Sequence, residues 1–437
     1  MFLDHLNEIW SDVSHPFLQT QHGQDLRFKD IYTISINGLN NVQAGDVVAL
    51  IGDFDAESIA ALLNLLARGA IVVPLTNETR GQHDYFIEES CAQYIFEKNN
   101  LARVISSSQV EHPLLDMLRG REHPGLILFT TGTTGRPKAI LHDFIPFISR
   151  YKTSRPPLKA ISFLLFDHIG GINTLLHILF NLGQVVSIQQ RTVASVANII
   201  SEFSIELLPT TPTFLRMLSL YPGVEDLMGN SLKIISYGTE RMDQPTLVRL
   251  CDQFPKIDFR QTYGMSELGI LRIKSKSRNS LFMSVGGEGV ETKIVDDILY
   301  IKAENRMLGY LNSPSPFDEE GWYCTKDIVR SDSDGFLTIT GRDSDVINIG
   351  GLKFMPSEVE RACLEVDNVK FAKAYGVSNP ITGQHLELNL ELKNSNIEEE
   401  IFKLDVINVL RARLPGHMVP SRISIVAQAL SHRFKKL

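Results

Sequence analysis

Residues Gly45–Leu75, GDVVALIGDFDAESIAALLNLLARGAIVVPL, decide the fold class of this chain. Two short runs rich in β-branched residues, Val47–Ile51 and Ile71–Val73, flank a segment whose apolar residues recur at helical spacing. Asp55 is placed to cap this helix and Gly69 to end it. A strand, a helix and a second strand in this order predict a parallel sheet with helices on its faces.

The same alternation of strands and helices continues along the first three quarters of the chain. The further strands that it predicts are Ile161–Phe166, Val185–Ile188, Ile205–Leu208 and Lys233–Ser236. After about Gly286, segments such as TKIVDDILYIKA and GFLTITGR predict antiparallel hairpins, and the chain then predicts helices at Ser357–Glu365 and Glu398–Leu414. We therefore predict an α/β protein. Its large N-terminal domain, residues 1–343, contains α/β subdomains and a β-rich part, and its small C-terminal domain, residues 344–437, is α+β.

Composition narrows the classes of function. The chain has 437 residues, of which 43% are apolar and 22% charged, as in folded globular proteins. With 43 Lys and Arg against 51 Asp and Glu, its net charge of −8 offers no general attraction for nucleic acid or an anionic membrane. The four cysteines lack paired spacing, the N-terminus is acidic, and no apolar run approaches the ~18 residues of a membrane span. We expect a cytoplasmic protein that acts on a small molecule.

The stretch Leu126–Ala139, LILFTTGTTGRPKA, says most about function. A buried strand runs into a loop that combines two glycines, four threonine hydroxyls and a lysine, which suits it to wrap oxygen anions. The loop residues are Thr130, Thr131, Gly132, Thr133, Thr134, Gly135 and Lys138. Their spacing is not that of a Walker loop. An ordinary polar loop is the alternative interpretation.

This loop resembles the signature phosphate loop of the adenylate-forming superfamily, which includes acyl- and aryl-CoA ligases, adenylation domains of peptide synthetases and luciferases. Further matches follow in the family's order. Tyr263–Glu267, YGMSE, resembles the motif YG-x-(S/T)-E, and Gly321–Asp327, GWYCTKD, resembles the block GW-(Y/F)-x-TGD. Gly341–Glu360 resembles the segment that opens the family's small, mobile C-terminal domain. The resemblance covers nearly the whole chain.

The resemblance implies roles for these positions. Glu267 and Thr134 would hold Mg²⁺ on the triphosphate, the threonines of the loop would contact the phosphates, and Tyr263 would stack on adenine beside Gly264 and Ser266. Asp327 and Arg342 would bind the ribose. The alternatives are an acid at a helix N-terminus for Glu267, a core aromatic for Tyr263 and a surface ion pair for Asp327 and Arg342.

A looser match involves Gly238, Thr239 and Glu240, which resemble the family's region lining adenine and the acyl pocket. Tyr237 replaces a glycine of that pattern. Gly351 and Lys353 match the loop that lies along the pantetheine channel in members that use CoA. A simple turn explains these two residues equally well.

Three positions depart from the family pattern. The family's second catalytic lysine follows a proline-bearing turn and a glycine near the C-terminus, but this chain ends ALSHRFKKL. We favour Lys436 for that role over Lys435, and a solvated basic tail is the alternative. Lys326 stands where the family has a glycine, and Ser344 stands at the hinge position, where the backbone can still change conformation.

The segment Phe166–Gly171, FDHIGG, resembles the family's aromatic-gate region. It places His168 at the carboxylate of the acid, or else His168 is a structural histidine. Amino-acid-activating members use Phe-Asp-x-Ser, whose aspartate holds the ammonium group. Asp167 is present here, but Ile169 replaces the serine, so an amino acid is less favoured and not excluded.

The function implied by the resemblance is ATP- and Mg²⁺-dependent activation of an aryl or acyl carboxylic acid. The products would be an acyl-adenylate and pyrophosphate, and the acyl group would pass to the thiol of CoA or of a carrier protein's phosphopantetheine. Catalytic roles would fall to Lys436, Glu267, His168 and Thr134. Two alternatives are an amino-acid-activating domain that loads a carrier protein and a degenerate, non-catalytic nucleotide-binding relative.

Overall fold

The structure is a computed structural model that describes residues 2–104, 112–130, 136–228, 231–394 and 397–426. Four β-sheets organise these residues, and a two-stranded hairpin stands apart from them. Two sheets of seven strands carry the helices, a six-stranded sheet follows, and a last sheet of five strands belongs to the C-terminal part. Among the helices of the described ranges, none is both long and apolar enough to cross a membrane.

The first sheet is built around the segment that predicted the fold class. The strands in this part of the chain are β1 (Leu18–Gln19), β2 (Asp25–Leu26), β3 (Val47–Ile51), β4 (Ile71–Leu75), β5 (Tyr94–Glu97), β6 (Asn100–Arg103), β7 (Gly125–Phe129) and β8 (Ala139–Asp143). Of these, β3 to β8 belong to the first sheet, and β1 and β2 belong to the second. Helices are α1 (Phe2–Ile9), α2 (Phe28–Tyr32), α3 (Ala56–Ala67), α4 (His83–Glu89), α5 (Pro113–Gly120) and α6 (Phe144–Ile148), with 3₁₀ turns at Leu39–Asn41, Asn77–Gln82 and Ser149–Lys152.

The predicted strand, helix and strand are confirmed as β3, α3 and β4. The two strands pair in parallel and are buried along their full length, as expected for a parallel sheet covered on both faces. An oxygen of Asp55 accepts a hydrogen bond from the Ser58 amide at 2.9 Å and caps α3. Gly69, with φ of +81°, follows the end of the helix.

The second sheet continues the α/β pattern. Its part of the chain contains β9 (Lys159–Ile161), β10 (Gln184–Val186), β11 (Leu207–Thr210), β12 (Ile234–Tyr237), β13 (Asp258–Gln261), β14 (Gly264–Met265) and β15 (Gly269–Ile270). Its helices are α7 (Ile169–Phe180), α8 (Val193–Glu202), α9 (Pro212–Ser219), α10 (Val224–Met228) and α11 (Gln244–Gln253). The sheet runs in the order β13-β12-β11-β9-β10-β1-β2, and β14 and β15 form a separate antiparallel hairpin.

Four strands predicted in this region exist, but the first is much shorter than expected. The predicted strand Ile161–Phe166 is wrong beyond Ile161, where β9 ends. The Phe163 amide bonds to the Ile161 carbonyl at 2.9 Å, so the chain turns there. Buried apolar residues such as Phe163 and Phe166 continue through this turn, which made the sequence look like a longer strand.

The six-stranded sheet confirms the predicted antiparallel hairpins. Strands of this part are β16 (Arg272–Ser275), β17 (Met283–Gly286), β18 (Val290–Val295), β19 (Ile298–Ala303), β20 (Gly309–Tyr310), β21 (Tyr323–Ser331) and β22 (Leu337–Arg342). The sheet order is β16-β17-β22-β21-β19-β18. β20 leaves it to pair with β8 of the first sheet, where Tyr310 lies opposite Ile140.

The last sheet and its two helices have a hydrophobic core of their own. The elements are β23 (Ile347–Ile349), β24 (Leu352–Phe354), α12 (Pro356–Leu364), β25 (Val369–Asn379), β26 (Gly383–Leu392), α13 (Glu399–Arg413) and β27 (Arg422–Ile425), with 3₁₀ turns at Asp343–Asp345 and Gly416–Met418. Both predicted helices are found, with ends shifted by a residue. The division into domains 1–343 and 344–437 stays a prediction.

Side chains from the two sides of this predicted boundary are in contact. The guanidinium of Arg216 on α9 lies 5.9 Å from the ring centre of Phe371 on β25, and Asp243 accepts a hydrogen bond from Arg216 at 2.7 Å. The Ser357 hydroxyl reaches the carbonyl of Thr340 at 3.4 Å. Arg216 and Phe371 are both buried, so the last sheet packs directly on α9.

Candidate active site

One cluster joins Tyr263, Asp327 and Arg342. Asp327 and Arg342 face each other across β21 and β22, and Tyr263 follows β13. The Tyr263 hydroxyl donates to one oxygen of Asp327 at 2.6 Å, and Arg342 Nε donates to the other at 3.0 Å. Burial and the adjacent Asp327 carboxylate raise the pKa of Tyr263, so the phenol stays a donor. Each Asp327 oxygen retains a lone pair that suits a diol.

A second cluster joins Lys138, Tyr310 and Glu267. The Tyr310 hydroxyl donates to the Glu267 carboxylate at 2.6 Å, and both side chains are buried. The ammonium nitrogen of Lys138 lies 4.7 Å from the centre of the Tyr310 ring, within cation–π range. Burial, followed by the negative Glu267, raises the pKa of Tyr310. One aromatic ring thus lies between a cation and an anion beside the predicted phosphate loop.

The hairpin of β14 and β15 links the two clusters. Tyr263 precedes it, and Ser266 and Glu267 lie in its turn. A Cβ atom added to Gly264 would lie 2.4 Å from the Gly269 carbonyl oxygen, so the tight pairing requires glycine. The Ser266 carbonyl accepts a hydrogen bond from His142 Nε2 on β8 at 2.8 Å. Burial lowers the pKa of His142 to about 4, which keeps the ring neutral.

The base of the phosphate loop is closed by its first and last residues. The Thr130 amide bonds to the Lys138 carbonyl at 3.1 Å, and the Lys138 amide bonds to the Thr130 hydroxyl at 3.1 Å. Asn312 fastens the outgoing strand, because its side chain bonds to the Ala139 amide at 2.9 Å and to the Pro137 carbonyl at 3.2 Å. The predicted site residues Thr131, Gly132, Thr133, Thr134, Gly135 and Lys436 lie outside the described residues.

The residues present fit a Mg²⁺ ion carried by a nucleotide. Mg²⁺ usually binds through one or two carboxylates together with substrate phosphates and water. In the described ranges no group of three or more His, Cys, Asp or Glu side chains could hold a metal ion by itself. Glu267 instead supplies one buried carboxylate next to the phosphate loop.

The predicted acyl side begins at His168, which caps α7. Its Nδ1 accepts a hydrogen bond from the Gly170 amide at 3.1 Å, so the neutral ring carries its proton on Nε2. The neighbouring Asp167 is buried, and its Oδ2 accepts from the Thr76 hydroxyl at 3.2 Å. Its Oδ1 is buried without a hydrogen-bond partner among the residues described. The structure thus gives His168 one structural role, the capping of α7.

Gly238, Thr239 and Glu240 follow β12 and lie close to the residue before Tyr263. A Cβ atom on Gly238 would lie 2.1 Å from the hydroxyl of Thr262. Thr239 has a left-handed backbone with φ of +67°, a strained conformation for a β-branched residue. A Glu240 oxygen accepts from the Thr213 amide at 3.1 Å at the start of α9.

The remaining predicted residues lie at the surface. Gly351 and Lys353 are exposed on the hairpin of β23 and β24, and the structure brings neither into the two clusters. His142 and Asn312 were missed by sequence reasoning. Their importance comes from contacts with carbonyls and amides far along the chain. The Gly-Tyr dipeptide shortly before Asn312 was the nearest available signal.

The chain is similar in sequence to a known family of enzymes and to individual proteins. A family model described as AMP-binding enzyme matches residues 36–311. The chain is 28% identical to the uncharacterized acyl–CoA ligase YhfT of Bacillus subtilis (strain 168), over 63% of this chain and 60% of that protein. It is 26% identical to the fatty acid–[acyl-carrier-protein] ligase MmaC of Mycobacterium marinum, over 63% of this chain and 59% of that protein.

A solved structure shows the same fold. The crystal structure of the anthranilate CoA ligase AuaEII in complex with anthranoyl-AMP matches with a TM-score of 0.79 at 18% identity, covering 99% of this chain and 95% of that chain. The chain spans about three fifths of the length of the two curated relatives above.

Proposed function

Because this chain belongs to the AMP-binding enzyme family, we propose that it uses ATP to convert a carboxylic acid into an acyl-adenylate, with release of pyrophosphate. The acyl group then passes to a thiol, either of CoA or of a carrier protein's phosphopantetheine. The proposal rests on the hairpin of β14 and β15, which links the two clusters. Tyr263, directly before the hairpin, bonds to Asp327, whose buried carboxylate suits a diol, and Glu267 follows only four residues later. The names of YhfT and MmaC support the two acceptors in turn.

In the first step, the acid's carboxylate attacks the α-phosphate, and the bond to the leaving pyrophosphate breaks. The two reactants are both anionic, so catalysis depends on neutralising charge and aligning the nucleophile with the leaving group. Lys138 supplies a cation at the exit of the phosphate loop, and Lys436 is proposed to supply a second. Glu267, with Thr134, would hold a Mg²⁺ ion that shields the triphosphate charge.

The protein's own hydrogen bonds orient the other groups. Tyr310 holds the Glu267 carboxylate in place, and its raised pKa keeps the phenol protonated. Tyr263 and Arg342 hold Asp327, which would accept hydrogen bonds from the ribose. His168 Nε2 would donate to the acid. The division into domains 1–343 and 344–437, with a hinge at Ser344, forms part of the proposal.

The decisive test is carboxylate-dependent exchange of pyrophosphate into ATP across a panel of aryl, fatty, short-chain and amino acids. Exchange with one class supports adenylation and names the class. Glu267→Gln should lower the exchange rate by orders of magnitude without unfolding the protein, because it removes the proposed metal ligand. Glu288→Gln, in an exposed turn, is the matched control. Near-normal exchange in Glu267→Gln would remove that residue from the site.

The role of Lys436 separates the two half-reactions. Lys436→Ala should abolish adenylation and spare thioester formation from supplied acyl-adenylate, since the second step needs no triphosphate. Lys435→Ala is the control that decides between the two adjacent lysines. Equal loss of both half-reactions in Lys436→Ala would indicate a structural role. ATP binding without exchange for any acid would favour the degenerate, non-catalytic relative.

One observation supports an amino-acid substrate as a second candidate. The buried Oδ1 of Asp167 lacks a partner among the described residues, and an ammonium group would satisfy it. The amino-acid members of the panel test this candidate. Asp167→Asn should then reduce exchange with amino acids more than exchange with the matching acids that lack the amino group.

A further inference from the structure

Arg150 is a partly buried cation without a matching anion. It forms no ion pair with any carboxylate in the described part of the chain, and its Nε is buried without a hydrogen-bond partner there. Its Nη1 donates to the Ile270 carbonyl at 2.8 Å, and its guanidinium lies 5.1 Å from the centre of the Phe147 ring. Burial, followed by the positive Arg272, lowers the pKa of Arg150. A desolvated cation in such surroundings is stabilised when an anion binds to it.

The surroundings of Arg150 keep the guanidinium at this place. A Cβ atom on Gly269 would lie 2.7 Å from Nη2 of Arg150, so the absence of a side chain at position 269 leaves the room that the guanidinium uses. Gly269 and Ile270 form β15, which pairs with Gly264 and Met265 directly after Tyr263. Arg150 is therefore held one strand away from the proposed adenylate site.

Helix α7 connects His168, at its N-terminus, with the region of Arg150. The helix packs both on β15 and on the turn Ser149–Lys152 that carries Arg150. The hydroxyl of the adjacent Tyr151 donates to the Asn173 side chain at 2.8 Å. Asn173 lies five residues beyond His168, which corresponds to about 7.5 Å of helix rise. An acid whose reacting carboxylate lies at His168 would reach this region only if its tail ran along α7.

We propose that Arg150 forms an anion subsite for a second, distal carboxylate on the acid, so that the substrate is a dicarboxylic acid. The proposal rests on the proposed function and adds the substrate class to it. The phosphate groups of ATP are assigned to the loop that ends at Lys138. The anion at Arg150 is therefore a different one, and a phosphate on the thiol acceptor is the source that the test must distinguish from a distal carboxylate.

The test uses pairs of acids of equal length: the α,ω-dicarboxylates from succinate to suberate and the monocarboxylates from butyrate to octanoate. In the pyrophosphate exchange assay, the unsubstituted protein should have a higher kcat/KM for the best dicarboxylate than for its monocarboxylate. Arg150→Met should lower the dicarboxylate value about 10- to 100-fold, as expected for lost hydrogen bonds between charged groups, and change the monocarboxylate value less than about twofold.

Two controls separate anion binding from a structural role. Arg150→Gln keeps a polar side chain at this position but has no charge, so it should behave like Arg150→Met. Recovery of the dicarboxylate preference in Arg150→Gln would overturn the proposal. Arg249→Met, at an exposed position on α11, should leave both values unchanged.

Further outcomes are equally decisive. An unchanged ratio of the two kcat/KM values in Arg150→Met, or a preference of the unsubstituted protein for monocarboxylates, overturns the proposal. A raised KM for CoA in thioester formation from supplied acyl-adenylate, with that ratio unchanged, assigns the anion to the acceptor instead. If no acid supports exchange, the proposed function fails by itself. Calorimetric titration of the dicarboxylates then decides the subsite, because binding that is weakened in Arg150→Met supports it and equal binding contradicts it.

Discussion

Lys326 is held in a backbone conformation that favours glycine. Its φ is +58°, in the left-handed region that costs an ordinary L-residue about 1–2 kcal/mol. The conformation belongs to β21 directly before Asp327, whose amide bonds to the Thr325 hydroxyl at 3.0 Å. A glycine, as in the family motif, would adopt this backbone conformation without strain. The lysine in this chain adopts the same conformation at a cost in stability.

This strain predicts an unusual effect of a glycine substitution in a strand. Lys326→Gly should raise the free energy of unfolding by about 0.5–1 kcal/mol, while the β-branched Lys326→Val should lower it by about 1–2 kcal/mol. Urea titration measures both changes. Lys302→Gly, in β19 with an ordinary strand backbone, should be destabilising and is the matched control. A loss of stability in Lys326→Gly would contradict the prediction.

At the scale of elements, His142 connects β8 to the hairpin of β14 and β15 through the Ser266 carbonyl. Burial lowers its pKa to about 4, whereas an unfolded chain protonates histidine near 6.5. Below pH 6.5 the unfolded state therefore binds a proton that the folded state refuses, and stability falls until about pH 4. The expected loss from this residue alone is about 3 kcal/mol.

The variant His142→Gln should reduce this pH dependence, because its amide can donate to the Ser266 carbonyl without titrating. Between pH 7.5 and pH 4, the free energy of unfolding should fall less in His142→Gln than in the unsubstituted protein. His22→Gln, at an exposed position, should keep the slope of the unsubstituted protein. Parallel curves for His142→Gln and the unsubstituted protein would show that the buried imidazole is not the source.

Local rules allowed the first strand, helix and strand of the α/β pattern to be predicted from the sequence. Asp55 and Gly69 identify the ends of α3, because a cap and a left-handed residue act within one helical turn. The predicted strand from Ile161 failed for the opposite reason. Its apolar residues are buried as expected, but the hydrogen bond from Phe163 to Ile161 turns the chain. Burial and strand pairing are separate properties, and the apolar pattern predicts only burial.

At the scale of the whole molecule, Arg216 and Phe371 bring α9 and β25 together. Phe371→Leu keeps an apolar side chain in this contact and removes its cation–π part, which is worth about 0.5–2 kcal/mol. Amide hydrogen exchange in Asp343–Val346 and β25 should accelerate about 2- to 30-fold, while exchange in β3 stays unchanged. Phe282→Leu, which removes a similar contact between the residue before β17 and Arg330 of β21, is the control. Unchanged exchange in Asp343–Val346 would contradict this link.

Sequence motifs name single members of the candidate site but not the contacts between them, because the clusters are assembled from distant segments. Tyr263 and Glu267 come from a single short motif. Their partners Asp327 and Tyr310 lie in other segments of the chain, and the hydrogen bonds between them follow only from the fold. Asn312 had no signal of its own, since its partners are backbone groups at Pro137 and Ala139.

The closeness of Gly269 and Arg150 has a consequence for how relatives of this chain diverge. A Cβ atom at position 269 would require the end of the Arg150 side chain to shift, whereas the φ of +72° at Gly269 favours glycine whatever residue stands at position 150. The backbone requirement does not depend on the arginine. In an alignment of close homologues, glycine should therefore persist at position 269 even in lineages that have lost the arginine at position 150.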